Sequence, residues 1–255
     1  MPRPERRCDR EVGDRLASIA GALLVGTLIA GVVLAGCSGS EEPAGDPLPA
    51  ESTAILTAAA QAMGDVTSVR FTLIRSGAPV YIDTFEALAL ESVDGRFAAP
   101  RSADALLTVE VDGSLKTKLG AVAIDDTVWL SNPVTGVFEP LPAGYDLDPS
   151  SFFDPRRGWR PLLARLQDAD FVGEDDRDGQ RYHVHGVAPA AQMEIISAGL
   201  VRDQDVAIDF WIHPVTGLVT AAEFTTTFQG AESSWDLELR DYGETFEIDP
   251  PQVDD

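Results

Sequence analysis

Cysteine is scarce in this sequence: its 255 residues include two, Cys8 and Cys37. The composition of the segment before Cys37 predicts that this segment is removed, and the remaining chain would then keep a single cysteine. One cysteine allows no internal disulfide, although an exported compartment would permit one. The stability of the folded chain must therefore come from a hydrophobic core.

Basic residues are also few, with 19 Lys and Arg against 42 Asp and Glu and a formal net charge of −23. Nucleic acid and anionic headgroups repel a body of this charge, which excludes nucleic acid as a partner and membrane adhesion through basic patches. An acidic surface also keeps exported proteins soluble. The charge therefore excludes partners but identifies none.

The sequence lacks the common catalytic motifs, since it has no G-x-S-x-G, no H-E-x-x-H and no phosphate-binding glycine loop. His183 and His185 alternate in a predicted strand at a spacing compatible with a metal, and His213 follows later. No further ligand is suitably spaced, so paired surface histidines are the favoured interpretation. The acidic run 174–178 lacks the alternating ligands of a calcium loop. We predict no catalytic residue, no metal, no cofactor and no enzyme activity.

The amino terminus contains the parts of a secretory signal in order. A leading segment with five arginines up to Arg15 precedes an uncharged run from Leu16 to Gly36, which ends in Leu34-Ala35-Gly36-Cys37. This ending looks like a lipobox, so we predict a signal peptide over 1–36 and lipid on Cys37. The acyl chains would hold the protein on the outer face of the plasma membrane. A permanent transmembrane anchor is the alternative, because the run is long enough to span.

Beyond Cys37 the composition changes twice. Residues 37–49 are rich in Gly, Pro, Ser and acidic side chains and predict a flexible tether. The domain over 50–255 begins with an Ala-rich helix, Glu51–Met63, for which Ser52 is the expected cap. Two further helices are predicted at Trp159–Leu166 and Ala188–Leu200.

Apolar residues alternate with polar ones between and after these helices, which predicts two groups of half-buried strands. In the first group, turns are expected at Asp94-Gly95 and Asp112-Gly113. The second group includes 206–212, 218–228 and 234–240. Sequential strands grouped in this way favour an α+β domain, with an antiparallel sheet curled into a half-barrel and helices on its concave face. Such a layer either packs solid or leaves a hollow.

The order of these elements resembles the mycobacterial LppX/LprG lipoprotein family over about Pro49 to Pro251. The most specific segments are Gly179-Gln180-Arg181-Tyr182 and the strand-turn-strand Phe210 to Leu218, which reads FWIHPVTGL. The resemblance implies an apolar cavity for acylated lipids or glycolipids, a role in carrying them across the cell envelope, and in some members an efflux pump as partner. A surface lipoprotein that binds a protein or a small solute without lipid transfer is the alternative.

We expect the cavity between the inner face of the sheet and the helices. A hollow above roughly 1,000 Å³ would exceed the usual small-ligand pocket and fit more than one chain. Tryptophan at Ala121 or Ala191 is expected to fill it. The predicted lining residues are Phe71, Leu73, Leu163, Leu166, Met193, Ile196, Ile208, Phe210 and Leu237.

Overall fold

The computed structural model describes residues 45–83, 85–111, 113–141, 152–177 and 179–253. The predicted signal peptide, Cys37 and most of the tether lie outside these residues, so the processing and lipidation of the chain stay predictions. Within the described ranges, no helix has the length and apolar character needed to cross a membrane.

Helices and strands follow one another in two groups. The first group is α1 (Ser52–Gly64), β1 (Ser68–Gly77), β2 (Leu88–Ala98), β3 (Ser102–Val111), β4 (Leu115–Ile124), β5 (Thr127–Ser131) and β6 (Phe138–Pro140). The second group is α2 (Trp159–Ala164), β7 (Gln167–Asp175), β8 (Arg181–Ala188), α3 (Ala190–Ile196), β9 (Val206–Ile212), β10 (Val219–Phe228) and β11 (Ala231–Arg240).

Each group of strands is a meander, and the two meanders form one antiparallel sheet. In the described residues the sheet has 11 strands in the order β6-β5-β4-β3-β2-β1-β11-β10-β9-β8-β7. The first strand and the last strand pair at the centre, where Leu73 lies opposite Leu237. The outermost strands, β6 and β7, are not paired with each other, so the sheet is open. The predicted antiparallel sheet that does not close is confirmed.

The helices follow the predicted periodicity but differ at their ends. α1 begins at Ser52, and its N-cap residue is Glu51 without a side-chain hydrogen bond, so the expected Ser52 cap is wrong. α3 is shorter than predicted because Ala188 is the last residue of β8. At its other end, Ala198 and Gly199 adopt positive φ, which an α-helix does not accommodate.

One predicted turn is also wrong. Asp94 and Gly95 lie inside β2, where Asp94 pairs with Thr72 and Gly95 with Phe71. The glycine serves packing, because a Cβ at this position would lie 2.3 Å from the Phe71 ring. The chain reverses after β2 through Ala99-Pro100 instead. The Asp-Gly signal therefore marked a close approach within a strand.

The inner face of the sheet divides into two packing regions. A large cluster joins the buried side chains of α1, α2 and α3 to those of β8, β9 and β10, among them Met63, Leu163 and Phe210. A smaller cluster gathers Leu90, Val109, Leu119 and Trp235 in the first half of the sheet. The three helices thus cover the second half, while the inner face of β2 to β5 borders an open space.

Candidate functional site

An apolar cavity lies along the inner face of the first half of the sheet. Its floor is built from alternate residues of β1 to β5 and β11, which the register places side by side: Leu73 pairs with Val93, and Val93 pairs with Leu107. Its far wall comes from α3, the residues after it and the segment before α2. The lining includes Phe71, Leu88, Leu90, Ala105, Ala121, Leu130, Phe152, Phe153, Trp159, Leu200 and Phe224.

The described lining contains a single charged residue, Asp83, and its carboxylate is already engaged. Backbone N–H groups of Phe85, Ala87 and Leu88 donate to it at 3.1, 3.1 and 2.8 Å. The carboxylate thus organises the connection between β1 and β2. The polar Ser197 is also engaged, because its hydroxyl accepts from the Val201 N–H at 2.9 Å. The cavity consequently offers apolar contact and little directional bonding.

The predicted lining residues divide between the cavity and the core. Phe71, Leu73, Met193, Ile196 and Leu237 line the cavity. The other four pack in or against the large cluster under the helices, so they do not line it: Leu163, Leu166, Ile208 and Phe210. For Phe210 the cause is the Trp159 ring of α2, whose centroid is 6.2 Å away. Whether any of these residues contacts a lipid stays a prediction.

Sequence reasoning missed the part of the cavity floor that β2 supplies, because a turn was expected at Asp94-Gly95 and no lining residue was predicted in this segment. Leu88, Leu90 and Val93 all line the cavity. A register shift between Leu90 and Ser92 interrupts their alternation, so the period of two fails at that point. The signal that could have found this strand is the apolar alternation on either side of the bulge.

The cavity is smaller than a site for several acyl chains requires. Its volume is about 330 Å³, which lies at the low end of the range for small-ligand pockets and well below roughly 1,000 Å³. Ala121 lines it, whereas Ala191 is exposed to solvent and outside it. Tryptophan at Ala191 would therefore not fill the hollow, contrary to our expectation.

The histidines lie elsewhere, on the outer face of β8. One oxygen of Asp209 is 2.7 Å from His183 Nε2 and 3.0 Å from His185 Nδ1. The His183 ring stacks on Trp211, and the Arg177 guanidinium lies 4.5 Å from the centroid of that indole. His213 follows β9, where its Nδ1 accepts from the Val215 N–H at 3.2 Å. Among the described residues, no three His, Cys, Asp or Glu side chains are grouped to hold a metal ion.

A second hollow, of about 310 Å³, lies on the opposite face of the sheet from the cavity, and its lining mixes four charged residues with glycine and apolar residues. Arg96 forms an ion pair with Asp104 there, and the Arg70 and Arg96 guanidinium groups both lie over the Phe246 ring. Its charged groups neutralise one another, so the apolar cavity is the candidate site.

The fold has close counterparts among solved structures. LprF from Mycobacterium bovis superposes with a TM-score of 0.60 at 20% identity, covering 81% of this chain and 99% of that one. The lipoprotein LppX of Mycobacterium tuberculosis gives a TM-score of 0.54 at 16% identity, covering 78% and 98%. At these identities the likeness shows a shared fold.

The sequence itself matches curated relatives over its whole length. The lipoarabinomannan carrier protein LprG of Mycobacterium tuberculosis (strain H37Rv) is 26% identical over 261 residues, covering 99% of this chain and 100% of the relative. The LprG of Mycobacterium bovis BCG matches to the same extent. The sequence model of the LppX_LprAFG lipoprotein family matches residues 51–248 of this chain. Since this match takes in all the described helices and strands, the chain belongs to the LppX_LprAFG family, which comprises lipid-binding and lipid-carrying lipoproteins.

Proposed function

We propose that this chain is a membrane-anchored lipoprotein that holds acyl chains of lipids or glycolipids in the apolar cavity and carries them across the cell envelope. The observation that carries the proposal is the cavity itself, since the one charged residue in its described lining, Asp83, has its carboxylate engaged by backbone N–H groups. An unoccupied cavity with such walls is poorly hydrated. Acyl chains fit its chemistry better than a polar solute does.

A lipid carrier must bind acyl chains favourably but reversibly. Transfer of an acyl chain out of water gains about 0.8 kcal/mol per buried CH₂. A bilayer offers the same chain a comparable gain, so the net free energy of exchange between cavity and membrane is small. The cavity lining supplies little directional bonding, which keeps this balance and allows release.

The volume limits how much lipid enters at once. A cavity of about 330 Å³ lies well below the roughly 1,000 Å³ that we expect for more than one chain. The proposal for this conformation concerns one acyl chain, and a lipid with several chains requires the cavity to widen.

The curated relatives support the carrier role of the proposal. LprG is named as a carrier of lipoarabinomannan. Acylation of Cys37 would keep the carrier on the outer face of the plasma membrane. An efflux pump would be a suitable donor. Cross-linking in intact cells followed by mass spectrometry would find that pump if it is a partner.

Mass spectrometry of organic extracts tests the proposal. The Cys37→Ser chain, purified without its acyl group, should yield co-purified acylated lipid. The same extraction from Ala121→Trp, in which the indole enters the cavity, should yield much less. If the parent chain yields no lipid but a peptide or a polar solute, the alternative of a non-carrying lipoprotein is correct.

Fractionation tests the anchor separately. Cys37→Ser should leave the domain folded and release it from membranes, because the acidic body has no basic patch to hold it. Circular dichroism checks the fold. Sedimentation of the serine variant with membranes would show that an uncleaved leader or a second membrane site retains the chain.

A further inference from the structure

Exposed apolar side chains are concentrated at one end of the sheet. The register places the β1–β2, β3–β4, β5–β6 and β10–β11 connections together at this end, which we call the cavity end. Each of the four connections has an exposed large apolar residue at or beside it. We call this set the apolar rim: Phe85 (89% exposed), Leu115 (65%), Val134 (90%) and Phe228 (55%).

The opposite end of the sheet has the contrary character. Its turns carry Arg101, Asp125 and Asp126 among the described residues, and Arg101 pairs with Asp126 at 2.6 Å. None of the large apolar side chains found exposed in the described ranges lies in these turns. The contrast between the two ends shows that the apolar rim is not a general property of the turns.

The rim coincides with the opening of the cavity. Phe85 both lines the cavity and is almost fully exposed, so the cavity reaches solvent beside it. Ile82 and Leu88, on either side of Phe85, also line the cavity. A lipid that enters here passes the rim.

We propose that the apolar rim inserts into a lipid surface and places the opening of the cavity against the bilayer. This inference rests on the proposed function, because a cavity that exchanges acyl chains needs a contact with the membrane that contains them. Side chains at the tips of separate turns enter the headgroup region singly, as interfacial anchors do. Two copies of a chain with a net charge of −23 would instead repel each other.

The lysines support the same orientation. The chain contains two, Lys116 and Lys118, which lie one and three positions after the rim residue Leu115. Both are exposed, and Lys116 forms an ion pair with Glu91. Lysines beside an inserted apolar residue place their ammonium groups at the headgroup level while their methylene stems lie along it.

The tether is long enough to allow this contact in the bilayer that holds Cys37. Leu48 is fixed at the other end of the sheet, where its N–H donates to the Pro214 carbonyl at 2.8 Å. The 11 residue-to-residue steps from Cys37 to Leu48 span at most about 40 Å. The ten residues of β10 separate the two ends by about 33 Å.

The test is penetration of the membrane by single labelled positions. The full chain, isolated from membranes and reconstituted in phosphatidylcholine vesicles, would be labelled with an environment-sensitive dye at Phe85→Cys or Leu115→Cys. Matched labels at Leu106→Cys, an exposed apolar position on the outer sheet face, and at Asp126→Cys serve as controls. Spin-labelled lipid should quench the rim labels and not the controls, and the unsubstituted chain reports background labelling of Cys8 and Cys37.

The rate of lipid transfer is then measured in a variant of the rim and in a matched control variant. The double variant Phe85→Ser/Leu115→Ser should slow lipid transfer between vesicles at least about tenfold, since each side chain contributes apolar area to insertion. The control Leu106→Ser/Val172→Ser should transfer at the parental rate. Because the contact is apolar, added salt should not weaken quenching, while phosphatidylglycerol in the vesicles should weaken it.

The outcomes separate this inference from the proposed function. If the parent carries lipid but the rim labels are not quenched, or the rim variant transfers at the parental rate, the inference is wrong and the carrier proposal stands. Shielding of the Phe85 label without vesicles, with a doubled mass in light scattering, would assign the rim to a second copy. A cross-link from the Phe85 position to another protein would assign the rim to a protein partner. A parent that contains no lipid contradicts the proposed function, while quenching still tests the rim alone.

Discussion

Val184, Ile208 and Phe210, on the inner face of the second half of the sheet, are at most 1% exposed. Leu107 and Leu130, on the inner face of the first half, are only half-buried. All five are apolar residues on the inward side of a strand, so residue type and strand position do not explain the difference. The helices do, because α1, α2 and α3 pack over β8 to β10 and leave β2 to β5 facing the cavity. Similar inward-facing apolar residues thus form a solid core in one half and line an open cavity in the other.

Truncation of one large side chain in each half should give the largest contrast. Phe210→Ala removes a fully buried ring from the solid core and should lower the free energy of unfolding by about 3–5 kcal/mol. Leu107→Ala widens a space that is already open, so its cost should fall below about 2 kcal/mol. Urea unfolding of the two variants measures both. Equal losses would mean that the first half is packed as densely as the second.

Addition of bulk should also cost more stability in the second half than in the first, and in the first half it should displace lipid. Ala222 is fully buried in the core, and Ala222→Trp should cost about 1–3 kcal/mol or more by overpacking. Ala121 lines the cavity, so Ala121→Trp should cost less than about 1 kcal/mol and displace lipid. Thermal midpoint and bound lipid should be measured together. If Ala121→Trp also unfolds the domain and the parent carries no lipid, the inner face of the first half is an ordinary core.

The smallest change in the free energy of unfolding is expected for a substitution at the contact between α1 and the sheet. The Tyr242 hydroxyl donates to the Val219 carbonyl beside Met63 of α1, and burial raises the pKa of Tyr242 well above its usual value. The folded state therefore favours the neutral phenol, and the stability that this contributes is present below about pH 10 and is lost as the pH rises above it.

Tyr242→Phe should cost about 0.5–1.5 kcal/mol at neutral pH and should flatten the loss of stability at alkaline pH. Urea unfolding at neutral and alkaline pH gives both quantities. Tyr182→Phe is the matched control for the hydrogen bond, because the Tyr182 hydroxyl donates to the Leu48 carbonyl at 2.8 Å. An unchanged alkaline profile in Tyr242→Phe would show that another group causes the destabilisation.

Local patterns predicted most of the elements. The run 206–212 was predicted with the bounds that β9 has, and α1 differs from its prediction by one residue at each end. Both segments have an uninterrupted period. The failures occurred where tertiary contacts override the local signal: Gly95 makes room for the Phe71 ring inside β2, and the bulge after Leu90 breaks the alternation.

By itself, the sequence determined the strand faces, the helices and the family resemblance, because periodicity and short motifs are properties of neighbouring residues. Only the tertiary structure decided which inward-facing residues line the cavity. Phe71 and Phe210 are both phenylalanines on the inward side of a strand, yet one lines the cavity and the other packs under α2. The difference arises from where the helices lie across the sheet, and that placement depends on contacts between residues far apart in the chain.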